Sequence, residues 1–227
     1  MGQLAAGLAH ELGTPLNIIG GRAEYLLRRQ RNAEELHENL YTIQSQIDRI
    51  TAIVRQLLEF SRRAEPALRA VDVQWLLSNV NSLLRHKIEE KAVAVEMAAS
   101  YPLPRIQADP DLLQQVFINL YLNALHAVGQ GGNIKIVTSL VEDGLPAHSD
   151  AGETSWLKIS FEDNGPGIRP EHIEHVFDPF FTTKDKGVGL GLFIAHNVIK
   201  AHDGYIEVES VEGKGSSFAI YLPKVRL

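Results

Sequence analysis

The sequence predicts an α+β protein in which a helical hairpin precedes a sandwich of helices packed on a sheet. Three observations support this fold class. Apolar residues recur at helical spacing up to about residue 60, and a polar segment containing Pro66 follows. Beyond that segment, strand and helix patterns mix. The last two predicted strands follow one another without a helix between them, which argues against a doubly wound parallel sheet.

Composition excludes several classes of protein. The chain has 227 residues, 44% of them hydrophobic, which is enough for one or two domains with a core. A net charge of −6 offers no basic surface for nucleic acid, and no window reaches the ~18 apolar residues of a membrane span. The absence of cysteine suits a reducing cytoplasm. We therefore expect a cytoplasmic chain without nucleic-acid or membrane contact.

The chain opens inside a predicted helix, so we expect it to be a fragment of a longer protein. The sequence leaves open whether the missing upstream region anchors that protein in a membrane.

The hairpin is predicted over residues 1 to 65. A polar break at Gln30 to Ala33 separates its two helices, and the apolar residues of the second helix step by alternating fours and threes, as in a coiled-coil seam. The seam consists of Leu36, Leu40, Ile43, Ile47, Ile50, Val54 and Leu57. Because a lone hairpin buries little apolar surface, the seam predicts a homodimer with a four-helix bundle. Docking of the hairpin onto its own chain is the alternative.

A linker is predicted over 66 to 71, and the second domain over 72 to 227. Its predicted helices cover about 73 to 91, 109 to 128 and 190 to 201. Its predicted strands cover about 93 to 97, 133 to 141, 155 to 162, 204 to 210 and 216 to 222. The segment from 142 to 153 is predicted to be a surface loop between two strands.

Two segments of the second domain carry polar groups suited to a nucleotide. Asn119 and Asn123 lie four residues apart on one helical face, and an amide oxygen suits a hard cation such as Mg²⁺. In EDNGPGI, Asp163 follows a strand and can accept a hydrogen bond from an exocyclic amine such as that of adenine. Gly165 and Gly167 allow the backbone to approach a ring. Surface or capping asparagines and an ordinary turn are the alternatives.

A third segment is suited to phosphates. Lys184 and Lys186 precede Gly187, Gly189 and Gly191, which open a predicted helix whose free N–H groups favour anions. The GxGxG spacing follows a loop, so it matches neither the Rossmann nor the Walker pattern.

In chain order, NLYLNA, DNGPGI, FDPFFTTK, GVGLGL and GKGSSF resemble the N, G1, F, G2 and G3 boxes of the histidine kinase catalytic domain. The resemblance covers about residues 71 to 223 and implies a Bergerat-type α/β sandwich that binds ATP and Mg²⁺. It implies that Asn123 is the Mg²⁺ ligand with Asn119 beside it, and that Asp163 binds adenine. The other implied nucleotide contacts are Gly165, Gly167, Ile168, Phe180, Thr183, Lys184, Lys186, Gly187, Val188, Gly189, Leu190, Gly191 and Leu192.

The glycines between 187 and 191 are implied to form a mobile lid over the phosphates. Val188 departs from the family, which often has Thr at this position. Hydrolytic members of the wider superfamily, such as DNA gyrase B, place a Glu at the position of Asn119 to activate water. An amide cannot accept a proton at pH 7, so we expect slow ATP hydrolysis and a phosphoryl acceptor elsewhere.

The segment AHELGTPL resembles the H box of the histidine kinase dimerisation and phosphotransfer domain, over about residues 1 to 65. His10 lies about 200° around the helix from Leu8, away from the apolar side. The resemblance implies that His10 accepts the γ-phosphoryl group, while Glu11 takes or orients the imidazole proton. Thr14 is implied to position the water that dephosphorylates a response regulator. Pro15 removes a backbone hydrogen bond and predicts a bend in the helix.

Together the motifs predict the core of a sensor histidine kinase, which phosphorylates itself on His10 and passes the phosphoryl group to an Asp of a response regulator. Two alternatives stay open: a degenerate nucleotide-binding scaffold that dimerises without transfer, and an ATPase of the wider superfamily. The sequence identifies neither the signal nor the regulator. It does not distinguish phosphorylation within one protomer from phosphorylation across a dimer.

Overall fold

The computed structural model describes residues 2–28, 32–61, 66–100, 102–141, 155–184 and 187–224. These residues form two compact units. The first unit holds the described residues up to 61 together with those from 178 to 190, and the second holds those from 66 to 177 and from 191 to 224. The centre of the predicted hairpin turn, the predicted loop at 142 to 153 and Lys186 lie outside the described residues.

A helical hairpin dominates the first unit. Helix α1 spans Gly2–Arg28 and helix α2 spans Ala33–Ser61, and the two pack against each other. Asn32 caps α2 because its side-chain oxygen accepts a hydrogen bond from the Glu35 N–H at 2.8 Å. The predicted helical hairpin is confirmed. Helix α1 is continuous through Pro15, which is buried, so this proline does not end the helix; the bend stays a prediction.

A polar contact joins the two helices near the turn of the hairpin. Asn39 is buried, and its side-chain N–H donates to the Glu35 carbonyl at 2.6 Å. Its side-chain oxygen accepts from Arg22 on α1 at 3.1 Å. Both ends of this buried amide therefore have partners, which removes the penalty of burying it.

The second unit is built on a mixed sheet of five strands. These are β2 (Ala94–Ala99), β4 (Asn133–Val141), β5 (Trp156–Asp163), β6 (Tyr205–Val211) and β7 (Gly215–Pro223). Their order across the sheet is β2-β4-β5-β7-β6, with β2 and β4 parallel and the other pairs antiparallel. The antiparallel pairs agree with the predicted absence of a doubly wound sheet.

Three long helices accompany this sheet: α3 (Val73–Glu90), α4 (Pro110–Ala127) and α6 (Gly191–Ala201). Helix α4 contacts both α3 and α6 and packs on β5. The Phe117 and Phe161 rings, 6.0 Å apart, join α4 to the sheet in the centre of the core. The unit is thus an α/β sandwich, and together with the hairpin it confirms the predicted α+β fold.

Three short elements were not predicted. Strands β1 (Arg69–Val71) and β3 (Ile106–Ala108) form a separate antiparallel pair, and α5 covers only Pro170–Ile173. Strand β1 lies within the predicted linker at 66 to 71 yet pairs inside the second unit. The predicted domain limits stay predictions. No helix in the described part of the chain is long and apolar enough to cross a membrane.

Candidate functional site

Helix α4 carries the two asparagines predicted to lie beside a nucleotide. Pro110 opens the helix, and the buried Asp109 caps it by accepting hydrogen bonds from the N–H groups of Asp111 and Leu112 at 3.0 and 3.2 Å. Asn119 and Asn123 are half-buried and lie one turn apart, on one face of the helix.

Asn119 connects α4 to the start of α6. Its side-chain amide donates a hydrogen bond to the Gly191 carbonyl at 3.2 Å. A Cβ at Gly191 would lie 3.7 Å from the Asn119 amide carbon, so this glycine allows the two helices to approach closely. The contact brings the predicted Mg²⁺-binding helix to the first residue of α6, where unpaired backbone N–H groups favour anions.

Asp163, the predicted adenine partner, ends β5 and begins a tight loop. One of its carboxylate oxygens accepts a hydrogen bond from the Gly165 N–H at 2.8 Å. A Cβ at Gly165 would lie 3.0 Å from the Ala127 side chain, at the end of α4. The loop therefore lies against the helix that carries Asn123, because position 165 has no side chain.

The hairpin between β6 and β7 supports this loop. The Gly213 N–H donates to the Pro166 carbonyl at 2.7 Å, and the Ile168 N–H donates to the Ser210 hydroxyl at 2.8 Å. Gly215 has a φ of +109°, and a Cβ there would overlap the Asp163 carbonyl. The structure thus brings the distant motifs DNGPGI and GKGSSF into direct contact.

The segment from 178 to 190 belongs to the first unit. Phe180 has the unusual φ of +66°, and its N–H donates to the Gly189 carbonyl at 3.0 Å. Gly189, at φ +72°, lies so close to this loop that a Cβ would overlap the Phe180 carbonyl carbon. The Phe180 ring also occupies the space that a side chain at Gly7 of α1 would need.

The remaining predicted nucleotide contacts differ in exposure. Ile168 and Leu192 pack against the core of the second unit, and Leu190 is buried. Gly187 and Val188 are half-buried, whereas Thr183 and Lys184 are exposed.

On the hairpin, the structure describes Glu11 and Thr14 but not the side chain of His10. Thr14 is exposed. The carboxylate of Glu11 accepts a hydrogen bond from an Nη atom of Arg49 on α2 at 2.9 Å. Arg49 was not predicted from the sequence. It lies between the seam residues Ile47 and Ile50 in the chain but does not belong to the apolar seam. Arg49 directly follows Asp48, and nothing in the sequence pairs it with Glu11, 38 positions away.

Among the described residues, no group of three or more His, Cys, Asp or Glu side chains could hold a metal ion.

Two known protein families match this chain, in the order of domains that the sequence predicts. Residues 1–66 match the His Kinase A (phospho-acceptor) domain. Residues 108–226, more than half of the chain, match the histidine kinase-, DNA gyrase B- and HSP90-like ATPase family.

Individual relatives cover nearly the whole chain. The sensor histidine kinase ZraS of Escherichia coli strain K12 is 40% identical over 98% of this chain, which spans only 45% of ZraS. The structure of the histidine kinase ThkA in complex with the response regulator TrrA is 29% identical and has a TM-score of 0.77, covering 99% of this chain and 62% of ThkA.

The structure of full-length ShkA in complex with AMPPNP is 30% identical and has a TM-score of 0.67, covering 99% of this chain and 46% of ShkA. With matches to a phosphoacceptor domain over residues 1–66 and to an ATPase-type domain over residues 108–226, the chain belongs to the sensor histidine kinase family.

Proposed function

We propose that this chain binds ATP in its second unit, transfers the γ-phosphoryl group to His10 and then passes it to an Asp of a response regulator. One observation carries the proposal. The Asp163 loop, the end of α4 and the β6–β7 turn are in contact, and Asn119 of the same helix reaches the start of α6. Segments far apart in sequence are thus brought together beside helix α4.

Each part of this region suits one part of ATP. The Asp163 carboxylate can accept a hydrogen bond from the exocyclic amine of adenine. The N-terminus of α6 and the glycines from 187 to 191 offer backbone N–H groups to the phosphates. We further propose that Thr183, Lys184, Lys186 and Val188 belong to the lid over them.

The Asn123 amide oxygen fits a Mg²⁺ ion that arrives with the nucleotide, because Mg²⁺ prefers oxygen ligands and keeps several waters. When bound, the ion neutralises negative charge on the phosphates.

Phosphoryl transfer needs an acceptor and a base, which we assign to the hairpin. A nitrogen of His10 forms a bond to the γ-phosphorus, the bond to the bridging oxygen breaks, and ADP leaves with that electron pair. Glu11 takes the proton from the other imidazole nitrogen. Asn119 offers no carboxylate to activate water, so hydrolysis of ATP should be slow.

We also propose transfer of the phosphoryl group to the regulator and its later removal from the regulator by hydrolysis. The TrrA complex of the relative ThkA supports a response regulator as partner. The exposed Thr14 is available to position water for dephosphorylating that regulator. We propose that this part of the protein acts in the cytoplasm, as the sequence predicts.

A homodimer is part of the proposal because much of the apolar seam of α2 lies at the surface. Leu36, Leu40, Ile47 and Val54 are 44%, 51%, 49% and 39% exposed in the single chain. Pairing of two hairpins into a four-helix bundle would cover these side chains.

The test is to incubate the purified chain with Mg²⁺ and ATP labelled on the γ-phosphate, beside the variants His10→Gln and His37→Gln. His37, an exposed histidine on α2, serves as the matched control. We expect acid-labile, base-stable label on the wild type and on His37→Gln, and none on His10→Gln.

Other outcomes separate the alternatives. Nucleotide binding without label would favour the scaffold, and release of phosphate without labelled protein would favour the ATPase. Either result contradicts the proposed function.

A further inference from the structure

We propose that Arg49 is a positioning residue for phosphoryl transfer, because it holds the carboxylate of Glu11 next to the phosphoacceptor. An Nη atom of Arg49 lies 2.9 Å from a carboxylate oxygen of Glu11, which joins α2 to α1. Glu11 follows His10 directly in the chain. This inference rests on the proposed function, in which Glu11 receives the imidazole proton.

The ion pair is shielded from solvent on both sides. The side chains of Glu11 and Arg49 are 18% and 28% exposed, whereas those of the surface pair Arg28 and Glu24 are 73% and 62% exposed. Exposed pairs sample many rotamers and contribute little, but a shielded guanidinium–carboxylate pair is confined to a narrow geometry. The contact with Arg49 therefore restricts the orientation of the Glu11 carboxylate.

Arg49 is costly to the fold. Its Nε atom is buried and has no hydrogen-bond partner in the described part of the chain. A buried donor without an acceptor destabilises a protein, and an apolar residue at this position would avoid that cost. The contact with Glu11, rather than stability, therefore accounts for an arginine here.

The chemistry requires an oriented carboxylate. The unprotonated imidazole nitrogen attacks phosphorus, and the positive charge that develops on the ring is removed when the other nitrogen gives its proton to a nearby acceptor. A carboxylate that rotates freely spends part of its time away from that proton, so the transfer slows. ATP binding uses other residues and should not change.

The test compares Arg49→Ala and Arg49→Lys with Arg22→Ala. Arg22 is the matched control, since it also reaches from α1 to α2, where it donates to Asn39 at 3.1 Å. We expect Arg49→Ala to lower the rate of His10 phosphorylation at saturating ATP by about tenfold or more, with an unchanged KM for ATP. Arg49→Lys should recover part of the rate, and Arg22→Ala should keep the wild-type rate.

A double-mutant cycle separates positioning from a general structural role. In a Glu11→Gln background, Arg49→Ala should cause no further loss of the residual rate, because the carboxylate it positions is gone. Equal losses in both backgrounds, or a wild-type or faster rate in Arg49→Ala, would overturn the inference alone. A wild type that takes no label would overturn the proposed function and this inference with it.

Discussion

Two glycines near Asp163 have left-handed backbones in different surroundings. Gly167 has a φ of +72°, and a Cβ there would overlap the Val211 carbonyl, whereas Gly213 has a φ of +80° and open space around it. Gly213→Ala should lower the free energy of unfolding by about 1 kcal/mol, because a left-handed backbone disfavours alanine even where there is space for its side chain. Alanine at Gly167 should cost roughly 2–4 kcal/mol, because steric overlap adds to the backbone term.

Urea unfolding of both variants measures the two costs, and titration with ATP measures the effect on binding. We expect Gly167→Ala to weaken ATP binding as well, since the loop after Asp163 must shift. Equal costs at the two positions would show that the contact with Val211 does not constrain the loop.

His196 predicts a pH dependence of stability. Burial lowers its pKa below the ordinary 6.5, and the positive charge of Lys200 lowers that pKa further. The unfolded chain therefore binds a proton more readily than the folded one, and stability falls as pH drops through 6.5 towards the lower folded pKa.

The check on His196 compares urea midpoints of the wild type and His196→Gln across this pH range. The wild type should lose more stability than the variant on acidification. Parallel curves would contradict the assigned pKa direction.

At the residue scale, residue types predict which side chains suit a nucleotide, but they do not predict the contacts that orient those side chains. Asp163 and Asn123 were singled out because their residue types suit a nucleotide. The pairing of Arg49 with Glu11 joins residues 38 positions apart, and it depends on how α1 and α2 are rotated about their axes. Periodicity identifies the apolar side of each helix, but it does not determine which polar side chains meet across it.

Helix caps give a prediction at the scale of elements. The Asp109 carboxylate accepts two hydrogen bonds within α4 and a third from the Ala67 N–H at 3.0 Å, and Asp109 is fully buried. Its own N–H donates to the buried His202 ring at 2.9 Å. Asp109→Ala should therefore destabilise the protein by about 2–3 kcal/mol, because it removes the cap and takes the acceptor from three part-buried hydrogen bonds.

Asp72 provides the matched control for this cap. It is exposed and caps α3 with a single hydrogen bond, from the Trp75 N–H at 3.0 Å. Asp72→Ala should cost only about 1 kcal/mol in the same urea unfolding experiment. A loss at Asp109 no larger than that at Asp72 would contradict the role given to the Ala67 contact.

The long helices and strands were predicted from the sequence, whereas the elements of three or four residues were not. Strands β4, β5 and β7 and helices α3 and α4 extend over enough residues for a period to emerge, and all lie within one or two residues of the predicted positions. Strands β1 and β3 have three residues each, too few for an alternating pattern. Their pairing joins residues 35 to 39 positions apart, such as Arg69 and Ala108, and depends on the tertiary fold.

At the scale of the whole molecule, the exposed seam predicts the state of assembly. Analytical ultracentrifugation should find a dimer for the wild type and a monomer for Leu40→Glu/Ile47→Glu, because charges on the seam oppose burial between hairpins. Leu83→Glu is the control, since Leu83 is a 62% exposed apolar residue on α3, outside the seam. A monomeric wild type, or a dimeric double variant, would contradict the proposed bundle.

The central claim is that this chain phosphorylates its own His10. The most direct measurement is tandem mass spectrometry of the purified chain after incubation with ATP and Mg²⁺, at a pH that preserves phosphohistidine, with ADP as the control. We predict a phosphoryl group on the imidazole of His10 with ATP and none with ADP. A phosphoryl group on another residue, or an unmodified chain that binds ATP, would contradict the claim.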